Sequence, residues 1–188
     1  MTRSSVGVGL TAVIVAGLAT SALATTIIRQ DTRALVQGSS DIVVGRVASV
    51  RPHWDESHQH IVTDVDVDVS ESFKGEKRRV TLTQLGGEVD GMRLTVDGSP
   101  AFSVGEEALL FVWRDARGVA QLNGLGQGKF EIQRDEATGE RVLARGVPGL
   151  GFSDARTLRP MRAGAAAPRV SLARMLNEIQ RALARGDR

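Results

Sequence analysis

The clearest pattern in this 188-residue chain is His60-Ile-Val-Thr-Asp-Val-Asp-Val-Asp-Val-Ser-Glu-Ser-Phe-Lys-Gly75, in which apolar and polar side chains alternate. In an extended chain, one face carries the apolar side chains Ile61, Val65, Val67, Val69 and Phe73. The other face carries Asp64, Asp66 and Asp68. A helix would scatter both sets around its axis. The pattern therefore predicts a long β-strand with one dry face and one wet face.

Short segments of the same β character flank this strand. The predicted strands are Ile42–Arg51, Val80–Leu85, Met92–Val96, Ala108–Arg114, Val119–Leu122, Lys129–Gln133 and Arg141–Ala144. The apolar run from Ala108 is typical of a strand that is buried on both faces, and Gly45 predicts a bulge or bend in the first strand. Because no helix interrupts the series, we expect a mainly β barrel or sandwich and not a parallel sheet.

Two helices are predicted on either side of the strands. The first runs to Gly38, with Asp31 as its N-cap and Gly38 as its C-cap, and we expect it to close one end of the sheet through Leu35 and Val36. The second follows Ser171 and ends at Gly186. Its apolar face consists of Leu172, Met175, Leu176, Ile179 and Leu183, and this spacing is typical of an amphipathic helix.

The N-terminus has the layout of a secretory signal peptide over residues 1–24. Arg3 precedes an apolar run, and the small residues around Ala24 predict cleavage before Thr25. The apolar run is shorter than the ~20 residues of a spanning helix, so we expect no membrane span after cleavage and a secreted or periplasmic location. The expected organisation is a β-barrel domain over 25–154, a linker over 155–169 and a C-terminal helix over 170–186.

Composition excludes several classes of protein. The absence of cysteine rules out disulfides and a thioether-linked lipid. Residues 25–154 carry 15 basic and 20 acidic side chains, whereas residues 155–188 carry eight arginines and two acids, so an acidic body precedes a basic tail. An acidic barrel with 4% aromatic residues lacks the positive groove and stacking platforms of a nucleic-acid binder. We therefore expect no nucleic-acid partner.

The three histidines, His53, His58 and His60, form the one metal-like grouping in the sequence. If a strand begins by residue 58, two of the imidazoles share a face, and His53 could supply a third nitrogen ligand. The simpler interpretation is a polar hairpin loop with solvated histidines, because metal sites normally draw ligands from more than one segment. A metal-binding protein or metalloenzyme is the alternative function, and no cofactor is predicted.

The three aspartates of the alternating strand suggest calcium, but successive side chains on one strand face are ~6.8 Å apart, too far for one ion to bind all three. They are expected to face solvent, with docking of the arginine-rich helix as a minor alternative. The glycine-rich segments Gly86–Gly87 and Gly124–Gly128 match no phosphate-binding spacing and are expected to be turns or bulges. No Ser-His-Asp arrangement can be assembled, so no catalytic residue is predicted.

Three short motifs resemble the netrin-like family, which includes the tissue inhibitors of metalloproteinases. They are Asp41-Ile-Val-Val44, Ser72-Phe-Lys-Gly75 and Gly105-Glu-Glu-Ala-Leu-Leu-Phe111. The resemblance implies a small OB-like antiparallel β-barrel with a short N-terminal helix and one C-terminal amphipathic helix. It also implies an exported non-enzymatic binding module that inhibits a secreted or cell-surface protein such as a protease. Unlike that disulfide-rich family, this chain is cysteine-free, as are the exported bacterial proteins that it also resembles.

Overall fold

The computed structural model describes residues 26–75, 78–144, 151–153, 160–161 and 170–186. The predicted signal peptide and most of the predicted linker lie outside these ranges. The strands are β1 (Thr26–Ile28), β2 (Asp41–Trp54), β3 (Ile61–Lys74), β4 (Arg79–Leu85), β5 (Gly87–Val89), β6 (Met92–Leu94), β7 (Glu107–Arg114), β8 (Ala120–Leu122), β9 (Lys129–Arg134), β10 (Arg141–Ala144), β11 (Gly151–Ser153), β12 (Pro160–Met161) and β13 (Val170–Ser171). The helices are α1 (Thr32–Gly38) and α2 (Leu172–Gly186), and one 3-10 turn covers Leu125–Gly128.

Five of the strands close into a barrel, and the fold is mainly β with 49% strand. The ring runs β2, β3, β4, β8 and β7, and β7 returns to β2. Every neighbouring pair is antiparallel except β4 and β8, which are parallel where Leu82 meets Ala120. The first barrel strand therefore pairs with the second and the fourth, which is the connectivity of an OB barrel. The predicted fold class is confirmed.

Strands β2 and β7 are buried on both faces because they separate two apolar cores. Val43 on β2 and Leu110 on β7 point into the barrel, whereas Ile42 and Phe111 point outward under the helices. The barrel core comprises Val43, Val47, Val65, Val67, Val80, Leu82, Ala108, Leu110, Val112, Ala120 and Leu122. The helix-side core comprises Leu35, Val36, Ile42, Val44, Leu109, Phe111, Phe130, Leu143, Leu172, Met175 and Ile179. This two-sided burial explains the unbroken apolar run of β7.

Helix α1 begins as predicted but ends one residue later. The Asp31 carboxylate accepts a 2.8 Å hydrogen bond from the Ala34 N–H and caps the first turn. The C-cap is Ser39 and not Gly38: Ser39 leaves the helix in an extended conformation, and its hydroxyl donates to the Leu35 carbonyl at 2.7 Å. Leu35 and Val36 are buried in the helix-side core, so α1 covers the outside of the barrel and does not close an end of the sheet.

Helix α2 docks on the barrel through its apolar face. Leu172, Met175 and Ile179 are buried, and the helix contacts α1, β10 and β13. The Thr32 hydroxyl of α1 also donates to Glu178 of α2 at 3.3 Å. The two helices therefore form one layer over β2 and β7. Neither helix of the described chain has the length and apolar character that a membrane crossing requires.

The remaining strands form smaller pieces around the barrel. The predicted strand at Met92 belongs to a separate hairpin, in which β5 pairs with β6, and it takes no part in the ring. The two predicted strands at Lys129 and Arg141 pair as the β9–β10 hairpin. Strand β9 also pairs with β7, and β13 adds to the free edge of β10. A third sheet pairs β1 in parallel with β11, and β11 with β12. Pro160–Met161 is thus a strand inside the predicted linker.

Two glycine predictions have definite outcomes. A register shift lies between Val44 and Gly45 in the β2–β3 pair, so the predicted bulge is present. A Cβ on Gly45 would stand 2.6 Å from the Asp68 carbonyl oxygen, which explains why no larger residue is accommodated there. The segment Gly124–Gly128 forms the 3-10 turn between β8 and β9, where turns or bulges are predicted.

Candidate functional site

A cleft of about 380 Å³ opens at one end of the barrel. Strands β2, β3 and β4 form its floor, and the chain from Leu85 to Phe102 forms its roof and walls. The lining includes Val50, Thr63, Gln84, Leu94, Ser99 and Phe102. Clefts of this volume are in the range that binds small ligands or single side chains of a partner.

The cleft exists because two strands carry polar residues on their dry faces. Thr63 lies on the same face of β3 as Val65, and Gln84 lies on the same face of β4 as Leu82. Thr63 and Gln84 are paired in register across the two strands. The apolar barrel core therefore ends at this pair. None of the cleft residues is a predicted site residue. The signal for them is a polar side chain at a position where the alternation calls for an apolar one.

Glycines bring the roof close to the floor. The Gly86 N–H donates to the Ile61 carbonyl at 2.8 Å, and the Thr63 hydroxyl donates to the Gly86 carbonyl at 2.6 Å. Gly87 has a φ of +143°, and a Cβ there would stand 2.6 Å from the Thr63 hydroxyl oxygen. A side chain at Gly87 would be strained and would collide with the floor. The Gly86–Gly87 pair thus fixes where the roof begins.

The side-chain amide of Gln84 has one atom with a hydrogen-bond partner and one without. Its Oε1 accepts a 3.2 Å hydrogen bond from the Ser99 hydroxyl. Its Nε2 is buried and has no hydrogen-bond partner among the described residues. Leaving a buried polar group unpaired costs about 1–3 kcal/mol, and such groups in native proteins call for an explanation. Because this nitrogen has almost no accessible surface, it lies behind the cleft surface, and the Ser99 contact is the polar interaction that Gln84 makes at the cleft.

A nearly buried lysine supports the outer wall of the cleft. The Lys129 ammonium lies 2.6 Å from the Glu106 carboxylate, with side chains only 9% and 14% exposed. The same Nζ donates to the Ala101 carbonyl and lies 4.3 Å from the centroid of the Phe102 ring. Ala101 and Phe102 both line the cleft. Lys129 therefore fixes Ala101 and Phe102 of this wall through a hydrogen bond and a cation–π contact, while Glu106 balances its charge.

The histidine loop, residues 53–60, is organised around Asp55 and not around a shared centre. Asp55 accepts from the N–H groups of Gln59 and His60 and from the Ser57 hydroxyl. Desolvation is the largest single effect and raises the pKa of Asp55, but these hydrogen bonds, led by the backbone N–H of His60, together outweigh it and lower the pKa to about 2. Strand β3 begins at Ile61, so His58 and His60 lie in the loop and do not share a strand face.

The ring nitrogens of His53 are already engaged. Its Nδ1 lies 2.8 Å from the Trp54 carbonyl and its Nε2 lies 3.1 Å from the Asp64 carboxylate. The Trp54 carbonyl first, and then Asp64, raise the pKa of His53, whereas a metal ligand must be unprotonated. Within the described ranges, no three His, Cys, Asp or Glu residues are grouped so that they could hold a metal ion. The metal site at His53, His58 and His60 stays a prediction with no supporting geometry.

The aspartates of β3 are bound by the two neighbouring strands. Asp66 accepts from Arg51 and Ser49 of β2 and from Thr81 of β4, and these donors, Arg51 foremost, hold its pKa well below its usual value. Asp64 accepts from Thr83, and Asp68 pairs with Arg79. The wet face is thus a ladder of cross-strand pairs. The arginine-rich helix α2 contacts other elements, so the docking alternative is wrong.

One residue from each netrin-like motif meets the others at the opposite end of the β2–β3 pair. Ile42 is in register with Lys74 of β3 and Phe111 of β7. The Lys74 ammonium donates to the carbonyls of Val36 (3.0 Å) and Ser39 (2.5 Å), so it caps the C-terminus of α1. Ile42, Lys74 and Phe111 therefore join α1 to the barrel, away from the cleft residues Val50 and Val65 on β2 and β3.

Comparison with family models gives no match for this chain, and no curated protein matches it either.

Proposed function

We propose that this chain is an exported, non-enzymatic binding module whose ligand site is the cleft at the open end of the barrel. The observation that carries the proposal is the cleft of about 380 Å³ between β2, β3, β4 and the chain from Leu85 to Phe102. The surrounding mixture of apolar walls and a few polar groups is the usual lining of a binding pocket.

The cleft lining favours binding over catalysis. Its ionisable side chains among the described lining residues are Glu88 and Arg93, and these two form an ion pair with each other. General acid–base or nucleophilic catalysis needs a titratable group that is free to reach the substrate. A pair of opposite charges at the rim supplies orientation and not proton transfer.

The netrin-like resemblance favours one version of the proposal, in which the partner is a secreted or cell-surface protein such as a protease. The inhibitors of that family use an N-terminal cysteine to reach the catalytic zinc. Because this chain has no cysteine, an inhibitor built on it needs another contact group. The cleft and its roof hairpin β5–β6 provide an alternative contact surface at the other end of the barrel.

The test is capture of a partner from the exported protein fraction by the chain that begins at Thr25, which contains every described residue. Thr95 is exposed and lines the cleft, so Thr95→Trp fills the cleft at little cost to folding. Ala116 is exposed in the β7–β8 turn, outside the cleft lining, and Ala116→Trp is the matched control.

We expect the wild-type chain and Ala116→Trp to retain the same partner, and Thr95→Trp to lose it. Equal recovery by all three proteins would remove the cleft from the proposal. Recovery of no partner by any of them, together with stoichiometric zinc or copper in the purified protein, would overturn the binding-module proposal in favour of the metal-binding alternative.

A further inference from the structure

We infer that the outer surface of the helix layer binds electrostatically to a bilayer that contains anionic phospholipids. The helix layer consists of residues 29–38 and 172–186, which include α1 and α2. It contains none of the residues that line the cleft. The helix layer is therefore a second contact surface, distinct from the proposed ligand site.

Three arginines stand on the outermost line of α2. Arg174, Arg181 and Arg185 are spaced by seven and four residues, so at ~100° per residue they fall within ~40° of one another around the helix axis. That line lies opposite the buried residues Leu172 and Ile179. All three arginines are exposed. They therefore line ~16 Å of the helix on the side that faces away from the barrel.

Basic side chains outnumber acidic ones in the helix layer. Its two segments contain five arginines and two acids, whereas residues 25–154 as a whole carry more acids than bases. One of the two acids, Asp31, caps the first turn of α1. The charged residues of the layer are Arg29, Asp31, Arg33, Arg174, Glu178, Arg181 and Arg185. This surface is therefore positive on a chain whose body is acidic.

The second acid does not neutralise the outer line of α2. Glu178 accepts a 3.3 Å hydrogen bond from the Thr32 hydroxyl of α1 and lies 3.5 Å from the Arg174 guanidinium. Arg181 and Arg185 have no ion-pair partner within the described ranges. Both guanidinium groups are therefore available to a partner of opposite charge.

A bilayer of anionic phospholipids matches this surface in charge and in shape. Arginine binds phosphate through its charge and through paired hydrogen bonds. A cluster of about four to eight basic residues on an amphipathic helix is typical of proteins that bind anionic lipid. The other exposed side chains near the outer line are short, so they do not hold a flat surface away from the arginines; they are Ala173, Asn177, Gln180 and Ala184.

The structure favours contact with the bilayer surface over insertion. The apolar face of α2 is already buried in the helix-side core, and no exposed large apolar side chain lies in the helix layer. Binding through charge alone is reversible and is screened by salt. Nucleic acid fits this surface less well, because the helix layer has no aromatic side chain on which bases could stack.

The experiment is sedimentation of the chain from Thr25 with large unilamellar vesicles. This chain contains every described residue and lacks the apolar run after Arg3, which would itself enter lipid. One set of vesicles is phosphatidylcholine with about one third phosphatidylglycerol, and the other is phosphatidylcholine alone. We expect binding to the anionic vesicles in about 0.05 M NaCl, release in about 0.5 M NaCl, and no binding to the neutral vesicles.

Charge variants locate the contact. Arg181→Gln/Arg185→Gln removes two charges from the outer line of α2, and at about 5-fold per arginine it should weaken binding roughly 25-fold. Arg79→Gln/Arg93→Gln is the matched control, because it removes the same charge from β4 and β6. This control and the charge-preserving Arg181→Lys/Arg185→Lys should both stay within about 3-fold of wild type. Circular dichroism verifies that each variant is folded.

Equal weakening by the two glutamine variants would show that net charge and not the helix layer governs binding, and this would overturn the inference. Absence of binding to anionic vesicles, equal binding to neutral vesicles, or binding that about 0.5 M NaCl leaves unchanged would contradict it as well. Duplex DNA and polyglutamate serve as competing polyanions. If either binds the chain more tightly than the anionic vesicles do at the same salt concentration, the partner belongs to another class and the bilayer is the wrong one.

Discussion

Replacing Lys129 with methionine tests whether one ion pair supports the wall of the cleft. Methionine keeps the apolar stem of lysine but removes the ammonium, so Glu106 becomes a carboxylate that is 14% exposed and has lost its partner 2.6 Å away. Removing one partner of a nearly buried pair costs about 3–5 kcal/mol, because the remaining charge is desolvated. The Ala101 carbonyl and the Phe102 ring also lose their contacts with Nζ.

Urea denaturation of wild-type and variant chains measures this cost. A loss of 3 kcal/mol corresponds to a fall in Tm of roughly 6–12 °C for a domain of this size. The double variant Lys129→Met/Glu106→Gln removes the stranded charge, so it should recover at least half of the loss. Arg79→Met is the control: the Arg79–Asp68 pair has a similar distance of 2.7 Å, but its side chains are 63% and 56% exposed.

Exposed ion pairs contribute about 0–1 kcal/mol to the free energy of unfolding, so Arg79→Met should lower that free energy by no more than this amount. Equal destabilisation by Lys129→Met and Arg79→Met would contradict a supporting role of the Lys129–Glu106 pair. A double variant as unstable as the single one would also contradict it, because the cost would then come from lost packing and not from the unpaired carboxylate.

Three further outcomes are expected. Gly45→Ala should lower the free energy of unfolding by about 1–3 kcal/mol in urea, because its Cβ would meet a backbone oxygen at 2.6 Å; Gly186→Ala, which meets nothing within 4 Å, should be neutral. Asp55 and Asp66 have folded pKa values below the ordinary 3.8, so their stabilisation is complete above about pH 4 and is lost as the pH falls toward about 2. Acid titration followed by circular dichroism measures this, and an unchanged acid midpoint in Asp55→Asn would contradict it. Chelation should leave the Tm unchanged, and a fall of more than about 5 °C would show that a metal stabilises the histidine loop.

The elements with strong periodicity could be predicted from the sequence. The alternation from Ile61 fixes β3 almost to the residue, because a half-buried strand must alternate. The apolar run at Ala108 indicates burial on both faces, which the two cores explain. The Asp31 cap and the apolar stripe of α2 depend only on neighbours three or four residues away. Local patterns of this kind survive in the folded chain.

Pairings between distant segments could not be predicted. Closure of the barrel depends on the parallel bridge between Leu82 and Ala120. Nothing in the sequence around either residue identifies the other as its partner. The sheet that joins Thr26–Ile28 to Gly151–Ser153 is equally nonlocal. The cleft went unpredicted because its key signal, Gln84 on a dry face, has meaning only once β3 and β4 are known to be adjacent.

The separation of the barrel into two ends has a consequence for how such a chain can change over generations. Lys74 secures α1 at one end, while the cleft at the other end is built largely from the excursion Gly86–Phe102, which contributes no strand to the ring. Substitutions, insertions or a new loop in that excursion leave the strand pairings of the barrel in place. The cleft lining can therefore diverge between descendants while the scaffold is inherited intact, and the same excursion is the place to graft a binding surface by design.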